Sequence, residues 1–313
     1  EQVLIFQNRR GYAPYISCEE CGWIPECEHC DVSLTYHQYQ NELRCHYCGF
    51  KEKVPNKCQA CGSEKITTVG SGTERIEENL SLLFPEARIL RMDLDTTRSK
   101  YGYQKILEEF GSGNVDILVG TQMITKGLDF DRVSLVGIVD ADRILFYPDF
   151  RSGERAFQQI TQVAGRAGRR NKTGNVIVQT RRPDQLIFKE IIEGKYTDFY
   201  RQEMGDRRQF YYPPFVKNIK IVVKHKDYKI TETAASQLKN LLSDIDGRKI
   251  ILGPEKALIG KIKNLFHFEI WIKLERSSQA QEHFKHEMYH KISALHGDKR
   301  FRSVRFLIDV DPS

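Results

Sequence analysis

The sequence predicts a parallel α/β domain that carries a cysteine-rich, metal-binding insertion and is followed by a smaller antiparallel α+β domain. Apolar and β-branched runs bounded by Gly and polar residues alternate with helical patterns through the first two thirds, as buried parallel strands and their crossovers do. All eight cysteines fall between Cys18 and Cys61, as four Cys-x-x-Cys pairs. The last hundred or so residues read strand, helix, strand, strand, helix, strand, the order of a split βαβ sheet with two helices on one face.

At 313 residues, with 40% hydrophobic and 29% charged content, the chain is an ordinary globular protein of two or three domains. It has no apolar run of about 18 residues and no basic-then-apolar leader, so neither a membrane span nor a secretory signal is expected, and the expected location is cytoplasmic. It begins at Glu1 inside strand-like sequence without an initiator methionine, the look of a fragment whose N-terminal part is missing. The net charge is +6, unevenly spread. Residues 17–63 hold seven acids against four bases, and residues 212–313 hold nineteen bases against twelve acids. A basic surplus in the last third points to nucleic acid there.

In order, residues 3–6 form a short buried strand, after which Arg9 and Arg10 are placed to reach a phosphate. The cysteine pairs are Cys18/Cys21, Cys27/Cys30, Cys45/Cys48 and Cys58/Cys61. A two-residue gap lets one tight turn aim two sulfurs at one ion, and Gly22, Gly49 and Gly62 after three of the pairs supply positive φ. A disulfide framework is the alternative, disfavoured without a secretory context. The fourteen residues between Cys30 and Cys45 match a ribbon hairpin, which puts one zinc on Cys27, Cys30, Cys45 and Cys48 and the other on Cys18, Cys21, Cys58 and Cys61; a cross-brace, or a sequential order, remains open. His29, His37 and His46 are spectators. Trp23, Ile24, Tyr36, Tyr39, Tyr47 and Phe50 either pack around the metals or present a contact surface.

Residues 66–69 resume a strand, and Ser71 to Glu74 has capping-box spacing at the start of a helix over 73–83. A strand over 87–92, a polar loop at Asp93 and Asp95, and a helix over 101–110 follow. Strands over 115–119 and 133–139 end in Gly120-Thr121 and in Asp140-Ala141-Asp142, two acids that read as loop and cap residues. In the next helix Gln162, Gly165, Arg166 and Arg169 fall at i, i+3, i+4 and i+7 and share one face able to grip a phosphate chain. A strand over 175–179 and helices over 183–192 and 195–208 lead to Tyr211-Tyr212-Pro213-Pro214-Phe215, which stops the helix. Beyond it come strand 218–225, helix 230–245, strands 249–252 and 266–274, helix 279–295 and strand 304–310. In the first strand, alternation sets Lys220 and Lys224 on one side with Val222 between them. With Lys217, Lys226, Lys261 and Lys263 they make a basic surface for DNA phosphates, and Phe266, Phe268 and Trp271 are core residues or base-stacking platforms.

The pattern Gly120-Thr-Gln-Met-x-x-Lys126-Gly127-x-Asp129-Phe, then Asp140-Ala-Asp, Pro148-Asp-Phe-Arg-x-x-Glu-Arg155 and Gln162-Val-Ala-Gly-Arg-Ala-Gly-Arg169, resembles motifs V and VI of superfamily 2 helicases. Within them it is most similar to the primosomal replication-restart helicases of the PriA family, over nearly the whole chain. The resemblance implies a RecA-like second helicase lobe (1–16 and 64–194), a zinc-ribbon-type insertion binding two zinc ions (17–63) in the nested order above, a linker helix (195–211) and a ferredoxin-like or S10-like DNA-binding domain (212–313). It implies that Arg166 and Arg169 are arginine fingers or γ-phosphate sensors, that Gln162 orients nucleotide or water, and that Gly127 and Asp129 approach the ribose. Thr73, Thr121, Gln122, Lys126 and the motif IV arginines Arg9 and Arg10 would meet DNA. The complete protein would use ATP and Mg2+, bind forked and single-stranded DNA, and work with primosome and replication-restart proteins and single-stranded-DNA-binding protein, near the nucleoid. No Gly-x-x-x-x-Gly-Lys-Ser/Thr loop is present, so this chain is expected to be the second lobe without its own ATPase activity. The competing readings are a non-enzymatic zinc-ribbon scaffold for DNA or proteins, and the second lobe of another superfamily 2 translocase.

Overall fold

The computed structural model describes residues 1–8, 15–37, 40–69, 72–93, 96–97, 99–125, 130–168 and 173–312. The chain divides into two compact units, Glu1–Pro14 with Val69–Glu203, and Tyr15–Thr68 with Met204–Ser313. The cysteine-rich insertion thus groups with the C-terminal domain and not with the lobe whose sequence it interrupts.

Strand β1 (Gln2–Gln7) buries Leu4 and Phe6 completely. The insertion opens with β2 (Tyr15–Cys18), continues in a three-stranded antiparallel sheet of β3 (Thr35–His37), β4 (Glu42–Arg44) and β5 (Lys51–Lys53), and closes with β6 (Ile66–Val69) paired to β2. Strands of three or four residues cannot enclose an apolar core alone. Here Ile16, Leu34 and Leu43 are buried together with Cys27, Cys30 and Cys45, so metal-ligand residues make up much of the interior. Tyr36 and Phe50 pack against that cluster, whereas Tyr47 is exposed.

The lobe resumes with α1 (Thr73–Leu83). Its N-cap is Gly72 in an extended conformation with no side-chain bond, and Ser71 of the expected capping box lies outside the described residues. After β7 (Ile89–Met92) comes α2 (Gly102–Ser112), which stops where Gly113 takes a left-handed φ of 87°. Strand β8 (Ile117–Gly120) is buried along its whole length, as a central parallel strand must be. Then follow β9 (Val133–Val139), the short α3 (Asp142–Leu145), α4 (Ser152–Ala164) and β10 (Asn175–Val178). The sheet order is β10-β9-β1-β8-β7 and every adjacent pair is parallel. Helix α4 buries Ala156, Phe157, Ile160 and Val163, the i, i+1, i+4, i+7 stripe that seats it on the lobe core. Gln2 ties two elements together, its amide donating to the carbonyls of Phe110 (2.8 Å) and Val115 (2.7 Å). Helices α5 (Leu186–Ile192) and α6 (Tyr196–Gln209) follow, with Phe199 stacked on Phe157 at 4.5 Å between centroids.

The C-terminal domain runs β11 (Lys217–His225), α7 (Tyr228–Ser243), β12 (Lys249–Ile262), β13 (Leu265–Leu274), α8 (Ser278–Gly297) and β14 (Arg305–Val310). Its sheet order is β12-β13-β11-β14 with antiparallel neighbours, the split βαβ arrangement expected from the element order. Asp227 and Ser277 cap the two helices, accepting from the N–H groups of Ile230 (2.9 Å) and Ala280 (3.4 Å). The helices bury Ala234, Leu238, Leu242, Phe284, Met288 and Leu295 with Ile219, Ile221, Val223, Ile270 and Ile272 of the sheet. At about 1.5–3 kcal/mol per fully buried large aliphatic side chain, that layer stabilises the domain without help from the metals. Among the described residues no helix is long and apolar enough to cross a membrane.

Two expectations are corrected. Helix α4 ends at Ala164, so Gly165 and Arg166 do not continue one helical face from Gln162; Gly165 is the C-cap and Gly168 turns left-handed with φ 69°. Strand β12 continues ten residues beyond its expected end at Leu252, passing Gly253-Pro254 through register shifts that absorb the irregular backbone.

Candidate functional site

The nested ligand sets form two clusters. The sulfurs of Cys18, Cys21, Cys58 and Cys61, and those of Cys27, Cys30, Cys45 and Cys48, each lie within 4.8 Å of one another. Sulfur pairs stand at 3.5 Å (Cys27–Cys48) and 3.6 Å (Cys18–Cys61 and Cys21–Cys58), close to the edge of a tetrahedron with zinc–sulfur bonds of about 2.3 Å and far from the roughly 2.05 Å of a disulfide. Gly22, Gly49 and Gly62 take φ of 73°, 82° and 76°, as expected of knuckle turns. Burial pushes the Cys27 thiol up to about 12 against the pull of the His29 N–H, so a soft divalent cation is what lets such a cluster hold four thiolates. These are two four-cysteine zinc sites. Four protein ligands leave no open position, so bound zinc there supplies structure rather than a reactive water.

His37 and His46 lie outside both clusters, stacked with Nε2 atoms 3.0 Å apart. His29 is likewise a ligand of neither cluster, but its backbone makes a contact of its own. Its carbonyl accepts from the N–H of Asn264 at 2.9 Å, part of a contact that sequence reading missed.

In the lobe, Arg166 sits half-buried on the turn after α4 and Gln162 is exposed on the last helical turn. The turn is held by N–H bonds from Arg166 to Val163 and from Ala167 to Ala164, each 3.0 Å, and from Gly168 to Val133 at 3.0 Å. The Val133 bond places it at the amino end of β9, opposite the strand ends that carry Thr121 and Asp140. Gly174 also holds this turn. A Cβ there would stand 2.2 Å from the Gly168 nitrogen and 2.5 Å from the Ala167 carbonyl carbon, so two backbones meet where only glycine fits. Arg169, Gly127, Asp129, Lys126, Arg9 and Arg10 lie outside the described residues.

At the carboxyl ends of the strands, Gln122 is half-buried and its amide donates to Asn8 at 3.4 Å. Thr121 is largely buried, its N–H on the Met92 carbonyl at 3.3 Å. Thr73 is a correction. It is 1% exposed, and its hydroxyl donates to the buried Asp93 carboxylate at 2.7 Å, so it offers no surface to a phosphate. Asp93 in turn accepts from the Thr96 N–H (3.1 Å) and pairs with Arg91 (3.3 Å), fixing the loop after β7. Asp140 takes a left-handed φ of 53° and pairs with Arg143, and Asp142 accepts from Thr180 (2.6 Å) and the Arg181 N–H (2.8 Å). Both acids brace loops, as their sequence context suggests.

On the C-terminal sheet, the face away from the helices carries Lys220, Val222 and Lys224 of β11, His267, Glu269, Trp271 and Lys273 of β13, and Arg305, Leu307 and Asp309 of β14. Lys220 and Lys224 share that face as expected, but their surroundings differ. Lys220 pairs with Glu269 at 2.7 Å and lies 5.1 Å from the Trp271 ring. Lys224 stands opposite His267 on one side and Arg305 on the other, a row of three basic residues across three strands. Burial, then the Arg305 and Lys220 charges, hold the Lys224 ammonium below its usual range, and burial followed by Lys224 lowers His267 to about 4. Phe268 is buried and Phe266 packs with it against Tyr228 on the helix side, leaving Trp271 as the aromatic of the open face. Lys261 and Lys263 meet the cysteine-rich insertion. Lys261 lies 4.0 Å from the Asp31 carboxylate, and Lys263 forms the turn against Cys30.

Three family models match the chain: the PriA DNA helicase Cys-rich region at residues 27–53, the helicase conserved C-terminal domain at 56–171, and the primosomal protein N C-terminal domain at 208–313. Among curated relatives, the replication restart protein PriA of Bacillus subtilis is 43% identical over 299 residues, 93% of this chain and 37% of that one. Its namesake in Haemophilus influenzae is 38% identical over 99% of this chain and 42% of that one, and that of Synechocystis 40% identical over 87% and 34%. The chain therefore spans about two fifths of the length of the curated relatives it matches.

Proposed function

The chain belongs to the PriA family of replication restart proteins and matches part of its members' length, and from that premise we propose that it is the nucleotide-sensing and DNA-gripping portion of an ATP-dependent 3′-to-5′ helicase that restarts stalled replication forks. In this reading residues 1–16 and 64–194 form the second motor lobe, 17–63 the zinc insertion, 195–211 the linker helix and 212–313 a DNA-binding domain. Arg166, with Arg169, stabilises charge on the γ-phosphate of ATP held with Mg2+ by another lobe of the complete protein, and Gln162 orients nucleotide or water. Gly127 and Asp129 approach the ribose. Gln122, Thr121, Lys126, Arg9 and Arg10 face the DNA backbone. The protein works in the cytoplasm at the nucleoid, on forked and single-stranded DNA, with primosome proteins and single-stranded-DNA-binding protein.

The observation that supports this best is the Arg166 turn. It lies inside the helicase C-terminal match and is pinned from both sides, by Val133 and by the close approach of Gly174, so its guanidinium is presented from a rigid support. In the full-length protein, Arg166→Ala should abolish DNA-stimulated ATP turnover while changing DNA affinity by no more than a few fold. Equal loss of both would mean that this turn holds DNA instead.

On the C-terminal sheet, Lys224 and Arg305, with His267 beside them, are the best seat for DNA phosphates, because like charges set opposite one another across a ladder are destabilising until anions lie against them. Lys220 plays a smaller part there, since Glu269 already neutralises it.

A further inference from the structure

Three of the four cysteine knuckles close on themselves. The N–H of Gly22 donates to the Cys18 carbonyl (2.9 Å), that of Gly49 to Cys45 (3.0 Å) and that of Gly62 to Cys58 (2.9 Å), each glycine being the residue after the second cysteine of its pair. The fourth knuckle, Cys27 to Cys30, has Asp31 at that position. Its N–H turns outward and donates at 2.9 Å to the carbonyl of Lys261, in the C-terminal domain. The sulfurs show the same asymmetry. Cys27, Cys48 and Cys58 accept N–H bonds from His29, Phe50 and Ala60, each two residues downstream, at 3.4 Å. At Cys30 the corresponding N–H, that of Val32, is spent on the Cys30 carbonyl at 2.8 Å. Its thiolate accepts instead from Lys263, 233 positions away, at 3.3 Å.

The donor is a two-residue hairpin turn. Lys263 and Asn264 have φ of 52° and 60°, the type I′ geometry that joins β12 to β13, and their two N–H groups serve Cys30 and His29. Charge reinforces the contact, with Lys256 3.3 Å from Asp31 and the Lys261 ammonium 3.4 Å from the Glu28 carbonyl, while Ile262 packs into the cysteine core. N–H donors to a thiolate tune how firmly it holds a metal.

We propose that the C-terminal hairpin completes the Cys27/Cys30/Cys45/Cys48 zinc centre, so that the metal there clasps the C-terminal domain to the insertion and the two zinc ions leave at different rates. Among the described residues the hydrogen bonds of the hairpin to the insertion go to Glu28, His29, Cys30 and Asp31, and the other centre has Cys21 and Cys61 exposed. The zinc of Cys18, Cys21, Cys58 and Cys61 is the labile one.

The test follows zinc loss from the loaded chain into a colorimetric chelator while an alkylating reagent traps each cysteine as it is freed, with peptide mass spectrometry naming the order. Two ions should leave in separate phases, Cys18, Cys21, Cys58 and Cys61 being labelled first. Amide exchange over 256–264 should rise only with the second phase, helices α7 and α8 staying protected. Lys263→Pro removes the N–H and forbids the turn's φ, and should speed the second phase on the order of tenfold without altering the first. Asp31→Gly, which gives the knuckle the residue that closes the other three, should keep both ions bound yet free 256–264 to exchange. One phase for all eight cysteines, equal acceleration of both phases, or exchange at the hairpin indifferent to metal would overturn the proposal.

Discussion

Replacing both Lys224 and Arg305 with alanine tests whether the C-terminal sheet grips phosphate at the row described above. His267, held at about 4, is neutral near pH 7, so the row presents its charge through Lys224 and Arg305. Each phosphate contact with single-stranded DNA contributes about 0.7 to the slope of log affinity against log salt, so the double variant should bind with a slope lower by about 1.4. Between roughly 50 and 200 mM salt it should therefore lose about sevenfold less affinity than the parent. Lys220→Ala is the internal control. Its ammonium is already paired with Glu269, and its loss should leave the slope nearly unchanged. The assay is fluorescence anisotropy of the whole chain on a labelled oligonucleotide across a salt series. A parent slope near zero, or equal effects of the Lys220 and Lys224/Arg305 changes, would refute the reasoning.

His267 is 6% exposed and its folded value of about 4 lies below the ordinary 6.5, so the unfolded chain binds the extra proton first and stability should fall as pH drops through that window, by up to about 3 kcal/mol. His267→Gln should flatten this part of a urea-unfolding pH series; an unchanged profile would place the acid sensitivity elsewhere. Gly174→Ala drives a methyl group into the backbone of Ala167 and Gly168 and should cost about 1–3 kcal/mol of lobe stability, together with ATP turnover in the full-length protein. A variant with normal melting and normal turnover would show that the Arg166 turn does not depend on that contact.

Much of the fold was legible because local signals and tertiary environment agree. Helix α1 and strands β6 and β9 fall on the residues their patterns indicate, and four Cys-x-x-Cys pairs around a hairpin point to the nested ligand sets that the structure brings together. What was missed depends on distant partners. The spacing of Gln162 and Arg166 suggests one helical face, yet Gly165 and Gly168 let the chain turn onto Val133. Gly253-Pro254 reads as a strand end, and only pairing with β13 carries β12 past it. Counting lysines could not reveal that Lys220 is neutralised by Glu269, nor that Lys256 answers Asp31. One signal for the hairpin contact was available, the missing glycine after Cys30, and it acquires meaning only beside the three knuckles that have one.

The separation of 233 positions between Cys30 and the Lys263 N–H also has a consequence for the protein's birth on the ribosome. At about 5–20 residues per second, the Cys27–Cys30 knuckle emerges roughly 12 to 47 s before the turn that completes it. Throughout that interval four thiols of one site and four of the other compete for the same ion and for each other. The self-closing knuckles can fold at once, and the glycine-free one has to wait. Slow translation over the last third of the message would therefore lengthen the time for which Cys27 and Cys30 stand without the turn that completes their site.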